Sequence, residues 1–246
     1  MRDIFCACLY GGITAMHTSA MLRMSWFVDN YVKGRGRVKV LDVGSYDVNG
    51  CMRPLFDGTQ AEYTGLDIEA GPNVDIVMNE PYNWDNVPDE SFDFVISANA
   101  FEHIEFPWLT IKLIYSKLKQ GGIACILAPN TPIEHRYPFD CYRYFSDGFR
   151  ALAKWAGFQV INTTVAGVPS MSAATSWDSM WNDVVMVIIK SDKPINPEKY
   201  PALKYERRFT FFREDTPANI LFRMWLKRLI PRTYAVMKKI KKCFVK

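Results

Sequence analysis

Val38-Lys39-Val40-Leu41-Asp42-Val43-Gly44-Ser45-Tyr46-Asp47-Val48-Asn49-Gly50 opens on an apolar run, broken by Lys39, and closes on a turn. Runs of this kind suit a strand buried on both faces of a parallel sheet. Gly44 lets the backbone approach a ligand closely, and a helix after the turn would offer free N–H groups. A second strand-like run, Tyr63 to Ile68, carries Asp67 at its end, 25 residues beyond Asp42. A carboxylate there can accept both hydroxyl hydrogens of a ribose, or simply cap the next turn. The second glycine of a phosphate-binding G-x-G-x-x-G is missing, with Tyr46 in its place, and no G-x-x-x-x-G-K-[ST] occurs. A pyrophosphate cradle is therefore disfavoured. A cofactor with a ribose and no phosphate fits better.

The alternation extends in both directions. Residues 18 to 33 read as a helix stopped by Gly34 and Gly36, with Met21, Met24, Trp26, Phe27 and Tyr31 as apolar surface. Val74 to Met78 and Phe92 to Ser97 are the third and fourth strands, and Pro107 to Leu118 is a helix ended by Gly121-Gly122. Ile123 to Leu127 is the fifth strand. Ser146 is placed to cap a helix running to Ala156, with Gly157 after it. Gln159 to Val165 and Val184 to Ile189 complete the set. Seven strands interleaved with helices predict a doubly wound α/β sheet, whose ligand sits beyond the carboxyl ends of the strands. The chain divides into an N-terminal helical segment (1–36), a sheet domain (37–190), and a linker with a basic helical tail (191–246).

Five segments carry a resemblance. They are Val40-Leu41-Asp42-Val43-Gly44, Tyr63-Thr64-Gly65-Leu66-Asp67-Ile68, Ser91-Phe92-Asp93-Phe94-Val95-Ile96-Ser97, Phe101-Glu102-His103-Ile104 and Leu118-Lys119-Gln120-Gly121-Gly122. In this order and spacing the sequence resembles the class I S-adenosylmethionine-dependent methyltransferases, over about residues 37 to 190. The resemblance implies a Rossmann-like sheet of six parallel strands and one antiparallel strand, and S-adenosylmethionine as cofactor. It places Asp42, Gly44 and Ser45 near the methionine end, Asp67 on the ribose and Ile68 against the adenine. Asn79 falls near the adenine amino group, and Ser97 and Ala98 line the wall near the sulfonium.

Methyl transfer to a hydroxyl needs in-line alignment and a proton acceptor. Of the three histidines, His17, His103 and His135, His103 follows the fourth strand at the mouth of the expected site and is the favoured base. The alternative is a histidine that packs or caps. After the fifth strand, Glu134-His135-Arg136-Tyr137-Pro138-Phe139-Asp140-Cys141-Tyr142-Arg143-Tyr144-Phe145 gathers an imidazole, carboxylates, guanidinium groups and aromatics. Aromatic faces beside planar charges suit a sugar, and arginine suits phosphate. The segment resembles the H-x-x-P-x-D-x-x-R stretch of bacterial methyltransferases of surface-polysaccharide biosynthesis. That implies a sugar or phosphorylated glycan acceptor, with His135 and Asp140 as further catalytic groups and Tyr137 and Arg143 contacting substrate. Trp177 and Trp181, before the last strand, stand where the methyltransferase family often builds its acceptor wall, with Trp181 contacting substrate, or else pack as a helix-spaced pair. An Asp140–Arg143 pair holding a lid, and metal ligation by His135 or Asp140, stay open; no metal is assigned.

Composition sets the outer bounds. The 246 residues are 49% hydrophobic and 23% charged, which excludes extensive disorder. The net charge of +4 hides a split, with 15 Lys/Arg against 5 Asp/Glu in residues 191–246. From Thr216 onward there are nine Lys/Arg and no acid, among apolar residues at helical spacing that include Trp225. That pattern suits an anionic membrane surface, a packed helix or homodimer contact, or, less well, nucleic acid. An RNA or protein methyltransferase that clamps substrate with the tail, and a non-catalytic cofactor-binding subunit, are the rival readings. Six scattered cysteines without C-x-x-C argue for reduced thiols and against a zinc finger. Arg2 and Asp3 cancel ahead of a run interrupted by Gly11-Gly12, so no secretory signal is read there. Localisation is expected to be cytoplasmic, at most at the inner face of a membrane.

Overall fold

A computed structural model describes residues 18–48, 50–130, 134–166 and 183–203. Seven strands form one sheet: β1 (Val38–Val43), β2 (Ala61–Asp67), β3 (Ile76–Val77), β4 (Phe92–Ala98), β5 (Leu118–Pro129), β6 (Gln159–Ala166) and β7 (Asp183–Ile189). Their order across the sheet is β3-β2-β1-β4-β5-β7-β6. All neighbouring pairs from β3 to β5 are parallel, whereas β7 runs antiparallel to both β5 and β6. The expected sheet of six parallel strands and one reversed strand is the one found.

Side-chain alternation builds a core on each face. Leu41, Val43 and Val95 point to one side, where α2 (Pro107–Lys117) contributes Ile111 and Ile114 and α3 (Ser146–Ala156) contributes Phe149 and Ala153. Val40, Phe94, Ile96 and Cys125 point to the other, covered by Met24, Phe27, Tyr31 and Val32. Those come from α1 (Thr18–Phe27) and the π-helical turn Val28–Val32 that continues it. Arg23 of α1 is buried and hydrogen-bonds the buried Asp183 at the start of β7, so a charged pair joins helix to sheet.

Three local expectations need correction. No helix follows β1; the chain passes through a loop into the 3-10 turn Arg53–Phe56, whose Arg53 lies over the Tyr63 ring. Helix α2 stops at Lys117, before Gly121-Gly122, because Leu118 already pairs with Phe92 in the sheet. Ser146 lies inside α3, and the cap position is Phe145, whose side chain makes no cap hydrogen bond. Gly157 does close α3, with its left-handed φ of 99°. The described cysteines Cys51, Cys125 and Cys141 are free thiols. No helix among the described residues is long and apolar enough to cross a membrane. The tail beyond Leu203, together with His17, Trp177 and Trp181, lies outside the described residues.

Candidate active site

A pocket of about 370 Å³ opens at the carboxyl ends of β1, β2 and β4, a size within the range of small-ligand sites. Its floor is backbone. Gly44 has φ of 79°, and a Cβ placed on it would overlap the methyl of Ala100, so a larger residue is excluded twice over. Tyr46, standing where a second glycine was expected, lays its ring against Gly71, which has no side chain to obstruct it. The wide side chain is thus accommodated by a glycine on the neighbouring loop.

Asp67 organises this end. One carboxylate oxygen accepts the Tyr46 amide at 2.9 Å, and the other accepts the amides of Ile68 at 2.7 Å and Glu69 at 3.3 Å. The carboxylate therefore fixes the turn after β1 while still lining the pocket, where a vicinal diol could reach it. Ile68, half exposed, and Met78 offer apolar surface beside it. On the opposite wall Asn99 adopts φ of 53°, and its buried Oδ1 has no hydrogen-bond partner among the described residues. An orphaned acceptor in a pocket wall fits a ligand that brings a donor, such as an ammonium group.

Several expected contacts lie elsewhere. Asp42 is buried behind the pocket, where it accepts the Tyr63 hydroxyl; burial pushes its pKa up to about 7 against the pull of that hydrogen bond. Ser97 is wholly buried and donates to the Val43 carbonyl at 2.8 Å, tying β4 to β1. Ser45 is also buried, its Oγ beside Gly65. Asn79 is exposed because β3 is only two residues long and turns Met78 inward instead. None of these four lines the pocket; Gly44, Asp67, Ile68 and Ala98 do.

The far end of the pocket is lined by His103, His135, Arg136, Tyr137 and Pro138. The 3-10 turn Phe101–His103 follows β4, and the segment after β5 folds back onto it. There the amides of Cys141 and Tyr142 donate to the Glu102 carbonyl at 2.7 and 3.2 Å. The segment also positions the His103 ring, whose Nδ1 lies 2.5 Å from the Phe139 carbonyl. A carbonyl can only accept, so Nδ1 carries the proton and Nε2 keeps its lone pair. Burial lowers the His103 pKa. The His135 ring stands perpendicular to it with centroids 5.0 Å apart.

Asp140 and Arg143 are spent on each other, through bonds of 2.5 and 2.7 Å. The guanidinium hydrogen bonds hold the Asp140 carboxyl far below the usual carboxylate range, which removes it as a base near neutrality. Arg143 does not line the pocket; Arg136, to which the sequence assigned no role, does. Glu102 was also passed over as a functional group. It is wholly buried, neither carboxylate oxygen has a hydrogen-bond partner among the described residues, and burial pushes its pKa up to about 8.

Residues 22–182 match the family model described as a methyltransferase domain. The chain belongs to this methyltransferase family and is an S-adenosylmethionine-dependent enzyme. No curated protein matches it by sequence. Solved structures share its fold at low identity. A [4+2]-cyclase, SpnF, superposes with a TM-score of 0.54 at 14% identity, over 69% of this chain and 81% of its own. A SAM-dependent methyltransferase from Archaeoglobus fulgidus gives 0.52 at 18% identity, over 68% and 91%. The complex of the Haloferax volcanii Trm112 methyltransferase activator with a methyltransferase gives 0.51 at 18%, over 70% and 89%. That a cyclase shares the fold shows that the chemistry must be argued from the site.

Proposed function

We propose that this enzyme methylates a hydroxyl group, on a sugar or phosphorylated unit of a surface glycan or its precursor. The observation that carries the reading is the His103 ring at the pocket, whose Nδ1 proton is held by the Phe139 carbonyl so that Nε2 is the basic nitrogen. A pocket-lining imidazole kept neutral near pH 7 is suited to take a proton from an alcohol.

S-Adenosylmethionine, when bound, supplies a methyl group on a positively charged sulfur. Asp67 would hold its ribose, Ile68 and Met78 would flank its base, and the backbone from Gly44 and Ala98 to Ala100 would line its methionine end. The exposed Tyr137 ring and the Arg136 guanidinium at the rim favour a polar, ring-shaped or anionic acceptor. His135 closes the same side and orients the acceptor against His103. The reaction leaves the proton on His103 Nε2, from which it passes to solvent.

The experiment supplies methyl-labelled S-adenosylmethionine and the purified enzyme to a lysate of the source organism, and label is counted by fraction. Label in glycolipid, polysaccharide or nucleotide-sugar fractions is expected. Label confined to RNA or protein overturns the acceptor class.

A further inference from the structure

At the inner end of the acceptor side, three ligand-type side chains converge. Glu102 Oε1 lies 3.8 Å from Nε2 of His103 and 3.9 Å from Nε2 of His135. One ligand atom from each of the three residues falls within 4.8 Å of the others. Glu102 is wholly buried, and no other described residue donates to its carboxylate. A carboxyl group removed from water without a donor either holds a proton or meets a cation.

We propose that Glu102, His103 and His135 form a binding site for a divalent transition-metal cation. Two imidazoles and one carboxylate are a donor set of catalytic zinc and ferrous centres, whereas magnesium and calcium prefer all-oxygen shells. Bonds of about 2.0–2.2 Å to a single ion bring tetrahedral ligand atoms to roughly 3.3–3.6 Å from each other. The two carboxylate–imidazole spacings thus need to contract by a few tenths of an ångström, and the widest separation within the group, up to 4.8 Å, by about an ångström or more.

The surroundings are those of a metal-ligating histidine. His103 donates its Nδ1 proton to the Phe139 carbonyl, the outer contact that fixes the ring and presents Nε2. The His135 backbone amide donates to Asp140 Oδ2 at 2.6 Å, which holds that residue over the site. Arg143 can only donate, and its Nη2 lies 3.5 Å from His135 Nδ1, so loading the ion must move the His135 proton off Nε2 and give up that contact, while Arg143 keeps its two-bond pair with Asp140. Both imidazoles line the pocket, so the remaining coordination positions face the acceptor. An ion and a proton use the same lone pair on His103, so the proton acceptor of the ion-free protein becomes a ligand in the loaded one. The site does not depend on the acceptor class, since ion binding is read without methyl transfer.

The test uses full-length protein stripped with a chelator and titrated with cobalt(II), followed by visible absorption, then back-titrated with zinc(II). One equivalent of cobalt, displaced by zinc, is expected, with no thiolate charge-transfer band. Glu102→Gln and His135→Ala should each weaken binding at least about tenfold, with folding checked by circular dichroism. Arg136→Ala lines the same pocket without being a ligand and should bind as the parent does. Absence of stoichiometric binding, a thiolate band marking cysteine ligation, or undiminished binding by folded Glu102→Gln and His135→Ala would each overturn the proposal.

Discussion

The Nδ1 atom of His103 lies 2.5 Å from the carbonyl oxygen of Phe139, a residue 36 positions later on the segment that crosses the pocket. One backbone oxygen thereby decides which ring nitrogen is basic. Burial lowers the pKa of the same ring, so the neutral form prevails to lower pH than in a free histidine. In ion-free protein, the acid limb of the kcat/KM profile should therefore fall below the ordinary histidine value of about 6.5. A limb above it would assign the titration to another group.

Replacing the ring should separate chemistry from binding. His103→Ala is expected to lower kcat by roughly 10²–10⁴-fold, the usual contribution of a general base, without changing cofactor affinity. Single-turnover methyl transfer and calorimetric titration with S-adenosylhomocysteine measure the two. Full turnover would move the proton-accepting role to His135.

Asp67 is expected to act on the cofactor instead. Asp67→Ala loses the three amides that fold the turn together with the proposed ribose contact, and should weaken cofactor binding by about 1.5–3 kcal/mol. Calorimetry reads the change directly. Unaltered affinity would take Asp67 out of the site.

Asp42 offers a stability prediction with a definite sign. Its pKa is raised to about 7 in the folded protein, from an ordinary value of 3.8. The native state therefore holds the proton more tightly than the unfolded chain, and stability falls as pH rises through that window. Asp42→Asn keeps an acceptor for the Tyr63 hydroxyl and removes the titration. Denaturant midpoints at pH 5 and pH 8 should differ less in the variant, which should be the more stable protein at pH 8.

Gly44→Ala should be among the most damaging small substitutions. It sets a methyl against Ala100 at a backbone angle of 79° that side chains resist. A loss of at least about 1–3 kcal/mol is expected, read as a lowered thermal midpoint together with lost cofactor binding.

Period and punctuation carried most of the sheet. Val38–Val43, Phe92–Ser97 and Val184–Ile189 are mostly apolar, and the observed strands match them to within a residue. Asp67, Gly44 and His103 were legible because each stands at a strand end or just beyond one, where ligands gather. Asp42 and Ser97 do not line the pocket because one step along a strand reverses the side chain, and chain position alone does not say which face meets it. Arg143 rests on the resemblance of the H-x-x-P-x-D-x-x-R stretch, yet Asp140, three positions away, holds it in a two-bond pair, and Arg136 lines the pocket instead. Glu102 stands inside one of the five resembling segments but carries no assigned role there, since an acid on a short turn looks solvated until the fold buries it. The helix expected after β1 failed for a local reason: Asp47 accepts the Gly50 amide at 2.7 Å and holds a turn there.

The position of β7 between β5 and β6 has a consequence for how the chain is made. In the sheet β6 touches only β7, which is synthesised after it. As the polypeptide leaves the ribosome, Gln159–Ala166 must wait with an open edge until Asp183–Ile189 emerges and slides in between. The first five strands can join in the order they appear, but β6 cannot join before β7. A nascent chain halted before β7 therefore leaves unpaired the two edges that β7 joins, one of β5 and one of β6, and is exposed to association with other chains. Release of that one strand closes both.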